Sequence, residues 1–263
     1  MYPLSLNELN ISKKTPKEFT NQILKGFYPA IYDRKIDAVE YYENYLNTYV
    51  ERDVRTIQNI EDLSNFTKFL QILAGRIGQL LNLNEIAGQV GVSNKTISSW
   101  ISILQASYII LLLEPHYKNY GKRIIKSPKV YFTDVGLAAN LLRLDSEKEI
   151  SNYYGLGSLF ENLVILDIYK NILNSKSISK IYFFRDKHGL EVDLLIDKGL
   201  EIEPIEIKSS FSFNNDFFKG IEYYKNLSKS KKDTGALIYS GETTWDMKNI
   251  KVLNYKDTIK IKL

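Results

Sequence analysis

Apolar residues recur at helical spacing through the first part of the chain. Over Ala38–Ile57 an apolar or aromatic side chain returns every three or four positions, with charged residues between them. This pattern predicts an amphipathic helix that faces a core. The same spacing predicts a second helix over Leu63–Leu81, although Gly75 and Gly78 weaken an unbroken one. The predicted helical region covers Ser5–Ile60, with breaks near Lys13–Pro16 and Gly26–Asp33.

The segment that follows has the spacing of a helix-turn-helix. Counted from Leu83, Ala87, Gly91 and Ile97 fall at the fifth, ninth and fifteenth positions of that frame. A small residue lets the two helices cross closely, a glycine permits the turn, and a β-branched residue fills the space between the helices. Ser93 is placed to cap the second helix.

We predict this second helix from Asn94 to about Gln105. Its first turns carry polar residues that would face a DNA groove, and these are Asn94, Lys95, Ser98 and Ser99. Strands are predicted at Tyr108–Pro115 and Lys129–Phe132, around a segment with no acidic residue, as in the wing of a winged helix. The cations of that segment are Lys118, Lys122, Arg123 and Lys126, and clustered cations suit phosphate binding. The alternative is a packing or dimerisation module with a solvated basic hairpin.

The last hundred residues predict the element order α-β-β-β-α-β. The elements are a helix at Gly157–Leu173, strands at Lys180–Arg185, Leu190–Ile196 and Pro204–Lys208, a helix at Asn214–Leu227 and a strand at Gly235–Tyr239.

Charged residues within these elements form a candidate metal site. Glu206 and Lys208 are two apart on one strand and therefore share a face. Asp193 lies in the preceding apolar strand, and Glu161 faces in from the first helix. Carboxylates hold a hard cation such as Mg²⁺, and a lysine can orient the attacking water. The alternative is ordinary surface decoration, since alternating acid and lysine residues are common on half-exposed strands.

The composition of the chain limits the number of domains, the location of the protein and the kind of metal site it can form. The chain has 263 residues, 44% of them hydrophobic, which suits one large soluble domain or two ordinary ones. Its apolar runs fall far short of the ~20 residues of a membrane-spanning helix, and no signal segment opens it, so we expect a cytoplasmic protein without a membrane partner. With no cysteine and only two histidines, His116 and His188, any metal must be held by carboxylates. The net charge of +4 does not by itself indicate nucleic-acid binding.

The element order, together with Glu161, Asp193 and the Glu206-Ile207-Lys208 triplet, resembles the PD-(D/E)XK nuclease superfamily. The resemblance implies Mg²⁺ held by Asp193, Glu206, Glu161 and the carbonyl of Ile207, with Lys208 positioning the water.

Longer stretches resemble the carboxy-terminal half of a bacterial and archaeal family of AAA-type ATPases, among them YYENYLNTYVERDV, GSLFENLVILDIYK and FFRDKHGLEVDLLI. In that family a winged helix and a nuclease-like fold follow the ATPase module. The chain departs from the family at Phe27, where a second glycine is usual.

A phosphate-binding G-x-x-x-x-G-K-[ST] loop is absent from the sequence. We therefore expect no bound nucleotide and no ATP hydrolysis by this chain alone, and an ATPase module in cis or in trans would be a partner.

The expected organisation is a helical region over 1–80, a winged helix-turn-helix over 81–150 and a nuclease-like domain over 151–263. The favoured function is a DNA-associated, Mg²⁺-dependent nuclease-like protein, and oligomerisation stays open. The alternative is a non-enzymatic DNA-binding or protein-interaction module on the same scaffold.

Overall fold

Short helices make up the first part of the chain in the computed structural model, which describes residues 2–49, 63–116, 126–228, 234–247 and 249–261. The helices are α1 (Leu6–Ile11), α2 (Phe19–Lys25), α3 (Pro29–Asp33), α4 (Ala38–Thr48) and α5 (Leu63–Ala74). Ser5 and Glu8 form a reciprocal capping box at α1, which satisfies amides that would otherwise lack a partner. Most of the predicted helical region is therefore confirmed, while its part over residues 50–60 lies outside the described residues.

Two helix boundaries differ from the prediction. The predicted break over Gly26–Asp33 is wrong for its second half, because Pro29 occupies the first position of α3, where its fixed φ favours a helix start. The helix predicted to reach Leu81 ends at Ala74. Gly78 then adopts a φ of 73°, and its backbone pairs with strand residue Val130.

The helix-turn-helix spacing is realised by α6 (Leu83–Val90) and α7 (Asn94–Ala106). Gly91 ends α6 in the left-handed region with a φ of 94°, as the turn requires. The Ser93 hydroxyl accepts a 3.1 Å hydrogen bond from the Thr96 amide and caps α7. A two-stranded antiparallel hairpin follows, formed by β1 (Ile110–Leu113) and β2 (Lys129–Phe132).

The remainder is a mixed sheet with helices against it. Two short helices that the sequence analysis missed come first, α8 (Val135–Leu141) and α9 (Glu147–Asn152), followed by the long helix α10 (Leu156–Asn174). The strands are β3 (Lys180–Arg185), β4 (Glu191–Asp197), β5 (Ile202–Lys208), β6 (Gly235–Tyr239), β7 (Trp245–Met247) and β8 (Ile250–Asn254). A 3₁₀ turn (Asn215–Phe218) leads into α11 (Lys219–Ser228), and another (Tyr255–Lys260) follows β8.

The strand order is β3-β4-β5-β6-β8-β7. The first three strands are antiparallel, β6 and β8 continue in parallel beyond β5, and β7 pairs antiparallel with β8. The predicted α-β-β-β-α-β order is present, and β7 and β8 extend it. The hairpin also reaches this sheet, because the His116 amide donates to the Phe183 carbonyl at 2.8 Å and the Phe183 amide donates to Glu114. The structure is thus a mixed α+β fold.

One apolar core joins all three predicted segments, from Leu6 through Trp100 to Ile238. A buried polar cluster lies within it. Asp167 of α10 accepts hydrogen bonds from the Leu6 amide and the Thr258 hydroxyl, while Lys170 donates to the Leu4 carbonyl at 2.9 Å. Both ends of the described chain are therefore tied to α10.

A carboxylate site between the sheet and the hairpin

Strands β4 and β5 bring three of the predicted site residues together. The Nζ of Lys208 lies 2.6 Å from Oε1 of Glu206 and 3.5 Å from Oδ2 of Asp193. The same Asp193 oxygen accepts a 2.8 Å hydrogen bond from the Ile207 amide. In the antiparallel register Leu194 pairs with Ile205, so the next residues out, Asp193 and Glu206, face each other across the two strands. Both acids are buried, with 8% of each residue exposed.

Glu161 approaches from α10 but is held by the hairpin. Its Oε1 accepts a hydrogen bond from the Tyr131 hydroxyl and lies 3.2 Å from Nζ of Lys129. Both donors belong to β2, where Lys129 is 2% exposed. Gly78 lies beside the Glu161 carboxylate, since a Cβ there would make ordinary van der Waals contact with it at 3.5 Å. The fourth predicted residue is therefore positioned by elements that lie before α10 in the chain.

A further acid completes the charged cluster. Glu191, at the start of β4, forms an ion pair with Lys129 through Oε1 and lies 3.4 Å from Arg185 through Oε2. Gly220 at the start of α11 packs against it, since a Cβ there would lie 2.4 Å from the Glu191 carbonyl oxygen and 2.9 Å from Oε2 of Glu206. Only a glycine lets α11 approach the site this closely.

Each of the three predicted acids has one oxygen held by a donor. The held oxygens are Oε1 of Glu161, Oδ2 of Asp193 and Oε1 of Glu206. Oε2 of Glu206 is buried and has no hydrogen-bond partner within the described part of the chain. Since a buried carboxylate oxygen without a donor is costly, this atom is suited to an additional cation.

Burial and neighbouring charge control the electrostatics of the site. Burial and the charge of Asp193 raise the pKa of Glu206, Lys208 opposes both, and the net result is a pKa of about 8. Burial also raises the pKa of Glu161, against the effect of Lys129. For Lys129 and Lys208 burial favours the neutral amine, but the surrounding carboxylates outweigh it and raise the pKa of each lysine. Both lysines therefore remain charged at neutral pH.

A bound cation would need ligands in addition to the carboxylates that already lie close together. Among the residues that the structure describes, no three acidic or histidine side chains are grouped closely enough to hold a metal ion. Asp193 and Glu206 form a close pair, and Glu161 is retained on the hairpin side by Lys129 and Tyr131. The carbonyl of Ile207, the other predicted ligand, belongs to the residue between Glu206 and Lys208 on β5.

The predicted DNA-facing residues lie on an exposed surface of α7. Asn94, Lys95, Ser98 and Ser99 are all exposed, and the Asn94 side-chain amide donates a hydrogen bond to Asn84 of α6. Lys126 is exposed as well. Lys118, Lys122 and Arg123 lie outside the described residues. The first turns of α7 therefore carry the four predicted side chains on an exposed surface.

Sequence reasoning missed Lys129, Tyr131 and Glu191. A signal was present for the first, because a lysine at the head of the buried strand KVYF must have a charged partner. The partner could not be identified, since Glu161 is 32 residues away and on another element.

Two family models match the chain. Residues 16–148 match a domain of unknown function (DUF8612), and residues 156–258 match a second domain of unknown function (DUF4143). The first match covers just over half of the chain, so the chain belongs to the DUF8612 family. The boundary between the two matches lies beside α10, where the hairpin meets Glu161.

Curated relatives include uncharacterized proteins of Mycobacterium tuberculosis and Mycobacterium bovis. Each is 26% identical to the chain over 187 residues, which is 70% of this chain and 42% of the relative. The match thus covers less than half the length of these relatives. No solved structure matches it significantly. None of the helices in the described ranges is long and apolar enough to cross a membrane.

Proposed function

We propose that the chain is a DNA-associated protein in which a winged helix-turn-helix binds DNA and a PD-(D/E)XK-like site cleaves it with the help of Mg²⁺. The observation that carries the proposal is the state of Glu206. One of its oxygens is fixed by Lys208, and the other is buried beside Asp193 without a donor in the described structure. A divalent cation would supply the missing partner, and hard cations favour carboxylate oxygens.

The residues that would hold the cation are Asp193, Glu206 and the carbonyl of Ile207, with Glu161 as a further ligand. When bound, Mg²⁺ would stabilise negative charge on a phosphodiester and supply an activated water. Lys208 is 32% exposed at its side chain, so its ammonium can reach a water beside the acids and orient it. The Ile207 amide keeps Asp193 in place, and α11 shields Glu206 from solvent through Gly220.

DNA contact is proposed for the exposed start of α7 and the hairpin between β1 and β2. Lys95 has no acidic neighbour in the surrounding turns, and Ser98 and Ser99 can donate to phosphate or bases. Since the match covers less than half the length of the mycobacterial relatives, the resemblance to AAA-type ATPases supports an ATPase module, in cis or in trans, as a partner. A cytoplasmic location accords with this role.

The nuclease part is tested by incubating the chain with Mg²⁺ or Mn²⁺ and duplex, branched or single-stranded DNA. We expect cleavage by the wild type and none by Asp193→Asn, which weakens a cation ligand. Asp197→Asn is the matched control, because Asp197 ends the same strand and accepts the turn amide of Gly199. Cleavage that survives in Asp193→Asn, or that is absent from the wild type with every substrate, rejects the nuclease.

The DNA-binding part is tested by the salt dependence of affinity. Lys95→Ala should weaken binding to all sequences and reduce the slope of log K against log salt by roughly 0.9 if one phosphate contact is lost. Lys148→Ala is the control, since Lys148 is an exposed lysine on α9, away from the helix-turn-helix. An unchanged slope in Lys95→Ala would remove α7 from the DNA interface.

One observation favours the non-enzymatic alternative. Lys208 and Lys129 already pair with the acids of the cluster, so a structural ion-pair network is also consistent with the charges. In that case the nuclease fold would serve as a scaffold. Titration calorimetry with Mg²⁺ separates the two functions, because a scaffold gives no binding heat at the carboxylates.

A further inference from the structure

Lys129 is the most deeply buried charged group at the site. It is 2% exposed on a strand whose four residues are all buried, and its ammonium also lies 5.5 Å from the ring centroid of Phe183. A buried ammonium is retained only when carboxylates surround it. Lys129 has two such partners, and they belong to different parts of the site.

The two partners are not equivalent. Glu161 is a ligand of the proposed cation, whereas Glu191 is not. Glu191 has a second cationic neighbour in Arg185, at 3.4 Å, and Glu161 has a second donor in the Tyr131 hydroxyl. Lys129 therefore lies between Glu161, which a metal ion would use as a ligand, and Glu191, which can pair with the ammonium while the metal ion occupies Glu161.

We propose that Lys129 is a built-in competitor for the divalent cation: in the cation-free protein it bridges Glu161 and Glu191, and when the cation binds it releases Glu161 and keeps Glu191. This inference rests on the proposed cation site and concerns its regulation. The ammonium and the cation compete for one carboxylate, and their like charges repel each other at short range. Because β2 belongs to the hairpin beside the helix-turn-helix, the carboxylate site is controlled from the DUF8612 part of the chain.

The competition predicts opposite effects for two substitutions. Lys129→Met removes the competing charge and should tighten Mn²⁺ binding by roughly tenfold or more. Glu191→Gln removes the alternative partner, so Lys129 stays on Glu161 and Mn²⁺ binding should weaken several-fold. Lys198→Met is the matched control, because Lys198 forms a 2.6 Å ion pair with Glu203 at the far end of β4, and its Kd should equal that of the wild type.

The double variant Lys129→Met/Glu191→Gln distinguishes competition from general charge. If Glu191 acts through Lys129, the double variant binds Mn²⁺ as tightly as Lys129→Met. If Glu191 acts only by its negative charge, the double variant is weaker than Lys129→Met by the factor seen for Glu191→Gln alone. The second result overturns the role of Glu191 as the carboxylate that retains Lys129. The double variant also preserves the net charge of the wild type. If a thermal melt shows that Lys129→Met does not fold, the Kd of the double variant is compared with that of Glu191→Gln instead.

Calorimetric titration of the full chain with MnCl₂ provides the readout without any turnover. Binding by Lys129→Met but not by the wild type supports the competitor, as does the expected tightening. Equal Kd values for the wild type and Lys129→Met overturn the competitor and leave the cation site intact. No binding heat in any variant overturns both the competitor and the proposed cation-dependent function.

Discussion

The hydroxyl of Tyr42 donates a 2.6 Å hydrogen bond to Oδ1 of Asp134, which lies 92 positions later in the chain. Asp134 is fully buried, and its other oxygen accepts the Phe27 amide at 2.7 Å. It also caps α8 through the amides of Gly136 and Leu137. A single carboxylate thus connects α4, the turn before α3 and the start of α8.

Replacing Asp134 should therefore cost more than losing an ordinary helix cap. Asp134→Ala strands several buried donors, and we expect a loss of about 3 kcal/mol or more in the free energy of unfolding. Asp37→Ala is the control, because Asp37 caps α4 at an exposed position and should cost about 1 kcal/mol. Urea denaturation measures both. Similar losses in the two variants would show that Asp134 acts only as a cap.

The helix-turn-helix offers a test of backbone conformation at two glycines. A Cβ added at Gly88 or at Gly91 would meet no atom within 4 Å, so packing does not separate them. Gly88 is helical within α6, and Gly88→Ala should stabilise the protein by about 0.5–1 kcal/mol. Gly91 has a φ of 94°, and Gly91→Ala should destabilise it by about 1 kcal/mol. Changes of the same sign in thermal denaturation would contradict this backbone argument.

Lys170 gives a pH dependence whose sign can be worked out. Burial lowers its pKa to about 8, against the attraction of Asp134 and Asp167. Between pH 8 and the ordinary lysine pKa the unfolded chain binds more protons than the folded one, so this group makes stability rise with pH. Over pH 8–9.5 the slope for the wild type should exceed that for Lys170→Met, by up to about 1.4 kcal/mol per pH unit. Parallel slopes in denaturant titrations would show that Lys170 titrates normally.

Without a bound cation, the carboxylate site should lower the stability of the protein while it provides the ligands that the proposed function requires. Glu206→Gln replaces a carboxylate whose buried Oε2 has no donor in the described structure and whose neighbour is Asp193. We expect the variant to be more stable by about 1–2 kcal/mol and to lose cation binding and cleavage. Glu203→Gln is the control, since Glu203 lies on the same strand as Glu206 and pairs with Lys198 of the preceding turn; this variant should be neutral or slightly destabilising. A lower melting temperature for Glu206→Gln would show that the ion pair with Lys208 outweighs the burial cost.

Elements with strong local patterns were predicted from the sequence with accurate boundaries. The apolar runs KIYFFR and GALIY form β3 and β6 over the predicted residues, and Ser93 caps α7 as expected. The segment VGLAANL forms α8, but it carries no alternation of polar and apolar residues and therefore gave no helical signal. Its start is fixed by Asp134, whose other partners are distant in sequence.

The close approach of Asp193, Glu206 and Lys208 follows from spacing within and between two adjacent strands, which a sequence pattern can reveal. The position of Glu161 does not follow from such a pattern. It depends on Lys129 and Tyr131, 30 or more residues earlier, on a hairpin whose docking against the sheet is a tertiary contact. Long-range ion pairs of this kind are determined by the fold as a whole.

The pairing of residues 114–116 with Phe183 also affects how the protein behaves at high concentration. Strand β3 is one edge of the six-stranded sheet, and open edges invite strands from other molecules. The hairpin continuation already occupies the hydrogen-bonding groups of Phe183, and the opposite edge, β7, is only three residues long. The middle of β3 is thus covered and β7 is short, so we expect both edges to be poorer templates for strand addition from another molecule than long, uncovered edge strands.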